Sequence, residues 1–333
     1  MEDLIIRRDG EAGRITFNRP HALNALSHDM ASAIHAALKE WKADPSVKLV
    51  IIDAAGDRAF CAGGDIAAVY LAAQAGDHAE GQRFFFDEYR MNAEIANYPK
   101  PIVAFMQGFV MGGGVGVGGH ASHRVVGDTT RIAMPESGIG LIPDVGGSWL
   151  LGHAPGHLGE YLMLTADRLG PGDAIKAGFA DLYLPEAEWP TLIETLALTG
   201  DLSALRGRTP PEAPLSERDL SAFAGDDVAA IIAGLEAAGD EAALKPIRRN
   251  SPLSMAAGLR LVREARSDSR IEDSLAREYR FTRRATQGSD FIEGVRAQVI
   301  DKDRNPRWGA DASPAAVDAI LAPLGPDELH FDA

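Results

Sequence analysis

An α/β layered core followed by a helical C-terminal region is the fold class this chain predicts, on three observations. Strand-like and helix-like patterns alternate through roughly the first 200 residues. A proline-rich break, Gly207-Arg208-Thr209-Pro210-Pro211-Glu212-Ala213-Pro214, then interrupts the pattern. Beyond it the periodicity is almost wholly helical. The core is accordingly placed at 1–200 and the helical region at 215–333.

Each element has a local reason. Residues 4–7 and 14–17 flank the turn signal Asp9-Gly10-Glu11 and read as a β-hairpin. Ser27 caps a helix over about 28–42, where Met30, Ile34, Leu38 and Trp41 recur at helical spacing. Residues 47–52 form a continuous β-branched run, as expected of a strand covered on both faces. Residues 101–106 repeat that pattern and lead through a glycine turn into a helix-like segment. Short strands are expected at 124–126, 131–133 and 179–184, and helices at 226–238, 252–266 and 270–284. No period of 20–50 residues recurs, so a solenoid is not expected.

Composition narrows the function. The chain has 333 residues, 46% of them hydrophobic, enough for a large core. Its net charge is −15, from 33 basic and 48 acidic residues. That balance argues against nucleic acid and anionic membrane as partners. Basic runs at 245–249 and 280–284 still leave room for one phosphorylated ligand. The single cysteine, Cys61, excludes an intrachain disulfide framework; among apolar neighbours it reads as a small buried residue, not a nucleophile. The N-terminus lacks the pattern of a signal or transit peptide. No apolar run approaches the roughly 18 residues of a membrane helix. A soluble, cytoplasmic protein is expected.

Three segments carry the chemistry. In Met134-Pro135-Glu136-Ser137-Gly138-Ile139-Gly140-Leu141-Ile142-Pro143-Asp144-Val145-Gly146-Gly147, two carboxylates lie among apolar and glycine residues with no Lys or Arg beside them. Dry, adjacent carboxylates have raised and separated pKa values, which suits acid/base or nucleophilic work. A surface turn with two helix-capping acids would look similar. The second segment, 108–120, holds Gly112-Gly113-Gly114 and suits backbone N–H groups exposed to a ligand, as in an oxyanion hole. Gly114, Gly116 and Gly119 also satisfy the dinucleotide pattern G-x-G-x-x-G. The run lies more than a hundred residues into the chain and leads to Pro135-Glu136, unlike that fingerprint. The third, Ala59-Phe60-Cys61-Ala62-Gly63-Gly64-Asp65-Ile66, is another turn after a buried strand, with Asp65 in position to cap a helix. His120, His123, His153 and His157 match no known zinc spacing. Phe84 to Phe86 read as core.

Taken with Arg19-Pro20-His21-Ala22-Leu23-Asn24-Ala25-Leu26, these segments resemble the crotonase (enoyl-CoA hydratase/isomerase) superfamily in order and spacing across about residues 1–190. The resemblance implies a crotonase-like spiral of ββα units and an acyl-CoA thioester as substrate, so that coenzyme A is part of the substrate and no separate cofactor or metal is needed. It implies an oxyanion hole from the N–H groups of Gly64 and Gly113. It assigns the adenine and pantetheine arms to His21, Ala22, Leu23, Ala25, Ala62, Asp65 and Ile66. A homo-oligomer is also consistent with it, since relatives of this fold often trimerise.

One departure bears on the reaction. A typical hydratase of this superfamily has two catalytic glutamates, one of them two residues beyond the glycine triplet. Here that position is Gly116, the other glutamate matches Glu136, and Asp144 follows Pro143 where glycine is usual. The arrangement resembles the 3-hydroxyisobutyryl-CoA hydrolase branch. So do Phe84-Phe85-Phe86-Asp87-Glu88-Tyr89, in which Glu88 matches a substrate-contacting acid, the stretch 290–303, and Pro306-Arg307-Trp308. That branch implies Glu136 as nucleophile or general base, with Asp144 and Glu88 on the substrate's 3-hydroxyl. A hydratase or isomerase of the same superfamily, and a non-catalytic acyl-CoA-binding protein, are the rival readings. Residues 185–250 match least.

Overall fold

Ser27 does what its position promises: its hydroxyl accepts from the Met30 N–H and opens a helix whose Met30, Ile34, Leu38 and Trp41 are all buried. The computed structural model describes residues 2–331. Its strands are β1 (Leu4–Asp9), β2 (Ala12–Phe17), β3 (Leu49–Ala54), β4 (Ala59–Cys61), β5 (Ile102–Met106), β6 (Phe109–Met111), β7 (His123–Val126), β8 (Arg131–Ala133) and β9 (Leu182–Tyr183). The helices of its first half are α1 (His28–Ala43), α2 (Ile66–Gln74), α3 (His78–Ala96), α4 (Gly113–Gly118), α5 (Gly147–Gly152) and α6 (Leu158–Thr165). Those that follow are α7 (Pro171–Lys176), α8 (Trp189–Thr199), α9 (Val228–Ala238), α10 (Glu241–Ile247), α11 (Pro252–Ala265), α12 (Ile271–Gly288), α13 (Phe291–Val295) and α14 (Pro314–Ile320).

The chain forms two compact units built from interleaved segments. The first comprises Met1–Gly64, Arg90–Ala133 and Arg168–Glu217; the second comprises Asp65–Tyr89, Met134–Asp167 and Arg218–Ala333. This differs from the consecutive blocks 1–200 and 215–333. The proline-rich stretch stays with the first unit because it is packed there. Arg208 N–H donates to the Tyr183 carbonyl, and Gly172 lies directly against the backbone of Pro211 and Glu212.

All the sheet lies in the first unit. Six strands order as β1-β2-β3-β5-β7-β9, and three as β4-β6-β8. The hairpin β1–β2 is antiparallel and every other pairing is parallel. Each of β3, β5 and β7 contributes to the larger sheet and then passes through a short turn into a short strand of the smaller one, so a strand–strand return recurs three times. Alternate residues of one face (Leu49, Ile51, Val103, Phe105, Val125) bury against Trp189, Ile193, Leu196 and Ala197 of α8. Strand β9 is shorter than the 179–184 expected. Phe179 and Ala180 spend their N–H groups on the Ala174 carbonyl, ending α7, and only Leu182 and Tyr183 remain to pair with β7.

The second unit is helical. α11 buries residues nearly all round its axis. α12 is sharply amphipathic, with Ile271, Leu275, Glu278, Phe281, Thr282 and Ala285 on its buried side. Among the described residues, no helix is long and apolar enough to cross a membrane.

Candidate active site

In the first unit, the ends of β4 and β6 set two turns side by side. The strands pair in parallel, with Cys61 opposite Val110. Gly112 takes φ +47°, ψ −118°, a conformation closed to most L-residues, and α4 begins at Gly113. Gly114 approaches the neighbouring turn so closely that a β-carbon there would lie 2.1 Å from the Cys61 carbonyl oxygen. Among the described residues, the N–H groups of Gly64 and Gly113 have no protein acceptor. As the first residue of α4, Gly113 has no intrahelical partner to find.

The Ala62–Gly64 turn is tied to the loop before α1. Ala62 N–H donates to the Leu23 carbonyl at 3.1 Å, and Leu26 N–H to the Gly63 carbonyl at 2.9 Å. Leu23 and Asn24 both have positive φ, and buried Asn24 locks the loop. Its side-chain oxygen accepts from Arg19 N–H, and its amide donates to the Ala55 and Ala59 carbonyls. His21 and Leu23, with Arg58, line a cleft of about 200 Å³ in this unit. Ala22 ends a short 3-10 turn and Ala25 follows the same loop. Asp65 holds the N-cap position of α2, where its side chain makes no capping bond, and Ile66 is the first helical residue.

In the second unit, Glu88, Glu136 and Asp144 are all buried and close enough for each charge to bear on the others, so these three predicted residues come together. A 3-10 turn, Glu136–Ile139, presents Glu136. It is pinned where the Ser251 N–H donates to the Ser137 carbonyl and where Gly140 sits against the backbone of Asp290. Oε2 of Glu136 and Oε1 of Glu88 are buried with no hydrogen-bond partner. Asp144 Oδ2 accepts from the Tyr89 hydroxyl at 2.7 Å. Glu278, fully buried on α12, accepts from the Gly146 and Ser148 N–H groups and from the Ser148 hydroxyl.

The electrostatics follow from burial without countercharge. Desolvation, reinforced by Asp144, holds the carboxyls of Glu88 and Glu136 well above the usual range. Desolvation lifts Asp144 to about 7, opposed by the Tyr89 hydrogen bond. Glu278 rises to about 8, again through burial, although its hydrogen bonds work the other way. Among the described residues none of the four forms an ion pair. The segment 134–147 is therefore not a surface turn with capping acids. A cluster of proton-bearing carboxyls near neutral pH can give or take protons, or attack a carbonyl once ionised.

Tyr89 and Glu278 were not anticipated. Glu278 carried a signal, since it falls on the apolar stripe of α12. Tyr89 carried none beyond its neighbour Glu88. Of the other residues weighed, Cys61 is buried in β4. Gly116 lies inside α4, His153 stacks on Trp149 at 4.1 Å between ring centroids, and His157 faces Glu160. Phe84 and Phe85 are buried core, and the partly buried Phe86 packs edge-on against Tyr279.

Known proteins place this geometry in context. The family described as Enoyl-CoA hydratase/isomerase matches residues 12–321. A Gallus gallus protein named 3-hydroxyisobutyryl-CoA hydrolase, mitochondrial, is 37% identical, with 99% of this chain and 91% of that protein covered. Its Homo sapiens namesake is also 37% identical, over 92% of this chain and 84% of its own. A crystal structure described as an enoyl-CoA hydratase from Rhodobacter sphaeroides 2.4.1 superposes with a TM-score of 0.94 at 53% identity, covering 99% of this chain and all of that one. Another, described as a carnitinyl-CoA dehydratase from Mycobacterium thermoresistibile, gives 0.94 at 43% identity, covering 100% and 99%.

Proposed function

The chain belongs to the enoyl-CoA hydratase/isomerase family, and from that premise we propose that it hydrolyses an acyl-CoA thioester, 3-hydroxyisobutyryl-CoA or a similar short β-hydroxyacyl-CoA, as in valine catabolism. The observation that carries the proposal is the cluster of Glu88, Glu136 and Asp144, buried and, among the described residues, unpaired by any cation, in a chain with glycine at 116. Adding water across a double bond calls for two acid/base groups astride the α- and β-carbons, and the usual second glutamate is missing. The relatives named as hydrolases, similar over nearly their whole length, support the same substrate class.

In the proposed reaction the thioester carbonyl oxygen becomes negative as its carbon is attacked. The N–H groups of Gly64 and Gly113, left without protein acceptors, would stabilise that charge. Ionised Glu136 attacks the carbonyl, CoA thiolate leaves and takes up a proton, and water then cleaves the acyl-glutamyl anhydride to free acid and carboxylate. Alternatively Glu136 takes a proton from the attacking water. Asp144 and Glu88 would bind the 3-hydroxyl, and a substrate lacking it would leave their oxygens unpaired. His21, Ala22, Leu23, Ala25, Ala62, Asp65 and Ile66 would hold the adenine and pantetheine arms, and Arg58 beside His21 adds a positive charge for the phosphates. Coenzyme A enters as part of the substrate.

A thiol-release assay with 3-hydroxyisobutyryl-, 3-hydroxypropionyl- and crotonyl-CoA tests the proposal. Thiol release from the hydroxyacyl esters is expected; loss of crotonyl-CoA absorbance without thiol would instead identify a hydratase, the activity named for the 53% identical crystal structure. Solvent oxygen-18 incorporated into the protein after one turnover would select the anhydride route.

A further inference from the structure

Glu278 belongs to no segment with an assigned role. It is fully buried on α12, 130 positions from Ser148, yet it receives three hydrogen bonds from the turn that carries Asp144. Gly146 N–H donates to its Oε2 at 2.8 Å, Ser148 N–H donates to its Oε1 at 2.9 Å, and the Ser148 hydroxyl donates to the same Oε1. Between Asp144 and these donors the backbone is strained. Val145 has φ +55°, a left-handed conformation that a β-branched side chain rarely adopts, and Gly146 follows at +78°. The Gly147 N–H closes the turn on the Asp144 carbonyl at 2.6 Å. Such conformations persist only where the surroundings hold them. Here the holding group comes from a distant helix.

We infer that Glu278 is the positioning residue for Asp144, anchoring residues 146–148 so that the strained turn presents the Asp144 carboxylate to Tyr89 and to the substrate. Each carboxyl oxygen of Glu278 accepts a backbone N–H, which a carboxyl group does with or without its proton and an amide NH₂ cannot do. The other ionisable groups of the cluster are Glu88 and Tyr89 on α3 and Glu136 and Asp144 in the segment before α5. Thr282, one turn along α12, turns its hydroxyl back to the Glu278 carbonyl. Replacement by glutamine puts an NH₂ donor against N–H or O–H donors and loses at least one anchor.

A double-mutant cycle separates positioning from general support. Glu278→Gln is expected to lower kcat/KM for the β-hydroxyacyl ester about tenfold in the native background, and to lower it no further in an Asp144→Asn background. Losses that multiply would overturn the inference. Ser148→Ala, which keeps the carboxylate and removes one anchor, is run through the same cycle in case Glu278→Gln folds poorly. Independently of activity, the amides of Gly146 and Ser148 should exchange with deuterium at least tenfold faster in Glu278→Gln; unchanged exchange would also overturn it. The kinetic arm rests on the hydrolase proposal. If the native chain releases no thiol from any β-hydroxyacyl ester, that proposal fails, while the exchange result still decides for or against Glu278.

Discussion

Glu136 keeps its proton to higher pH than an ordinary carboxyl, because burial and Asp144 both penalise its charge. In the proposed reaction the ionised form attacks or accepts the proton, so turnover should rise with pH through this raised range. Thiol release at pH 5 is expected to be at least about tenfold slower than at pH 8, since one pKa unit corresponds to a factor of ten. A flat profile between those values would remove Glu136 from its role. Glu136→Gln should reduce kcat by about 10²–10⁴, the span general-base or nucleophile loss typically produces, with binding of the CoA ester retained in calorimetry. Glu136 and Asp144 were legible in the sequence because acids without basic neighbours stand out against apolar residues. Tyr89 sits in an aromatic run that reads as packing. Glu278 falls on the apolar stripe of α12, but the arginines along that helix mask the signal by making an acid look like a surface ion-pair partner.

Elements fix the donors that residues alone cannot. The turn after β4 and the start of α4 stay adjacent because Gly114 offers no side chain to the Cys61 carbonyl. Gly114→Ala should therefore separate them. Inserting a methyl against fixed backbone costs about 1–3 kcal/mol or more, which would lower the melting temperature by several degrees, and thiol release should fall further than stability does. A variant that melts within a degree of the parent at full activity would show that the turns move freely. The long strands β3 and β5 were readable from their β-branched runs. Strands β4 and β6 were not, being three residues each beside glycine, with pairing set by a neighbour some 50 positions away. The 179–184 expectation overshot because the end of α7 claimed two of its N–H groups.

At the scale of the molecule, the four clustered carboxyls Glu88, Glu136, Asp144 and Glu278 set an unusual pH dependence of stability. Each has a folded pKa above its unfolded value, so between roughly pH 4 and 8 the native state binds more protons than the unfolded chain. Stability must then fall as pH rises through that window. The carboxyls shifted downward, such as Asp128, Asp201 and Asp303, are exposed and oppose this little. Urea midpoints are expected to be higher at pH 5.5 than at pH 8.5, and Asp144→Asn should flatten the trend while costing activity. A midpoint that climbs with pH would contradict the burial of these acids. The sequence exposed the helical character of the C-terminal half. It could not expose the interleaving, because which unit a segment joins depends on packing partners far away in the chain.

Residues 65–89 leave the sheet-bearing unit after β4, fold with the other unit, and hand the chain back to the first at Arg90 in mid-α3. Such an excursion behaves as a cassette. Grafting the corresponding stretch from a relative should exchange Glu88 and its flanking aromatics together while leaving every strand pairing intact, which gives evolution, and a protein engineer, a way to alter that acid's surroundings without rebuilding the scaffold.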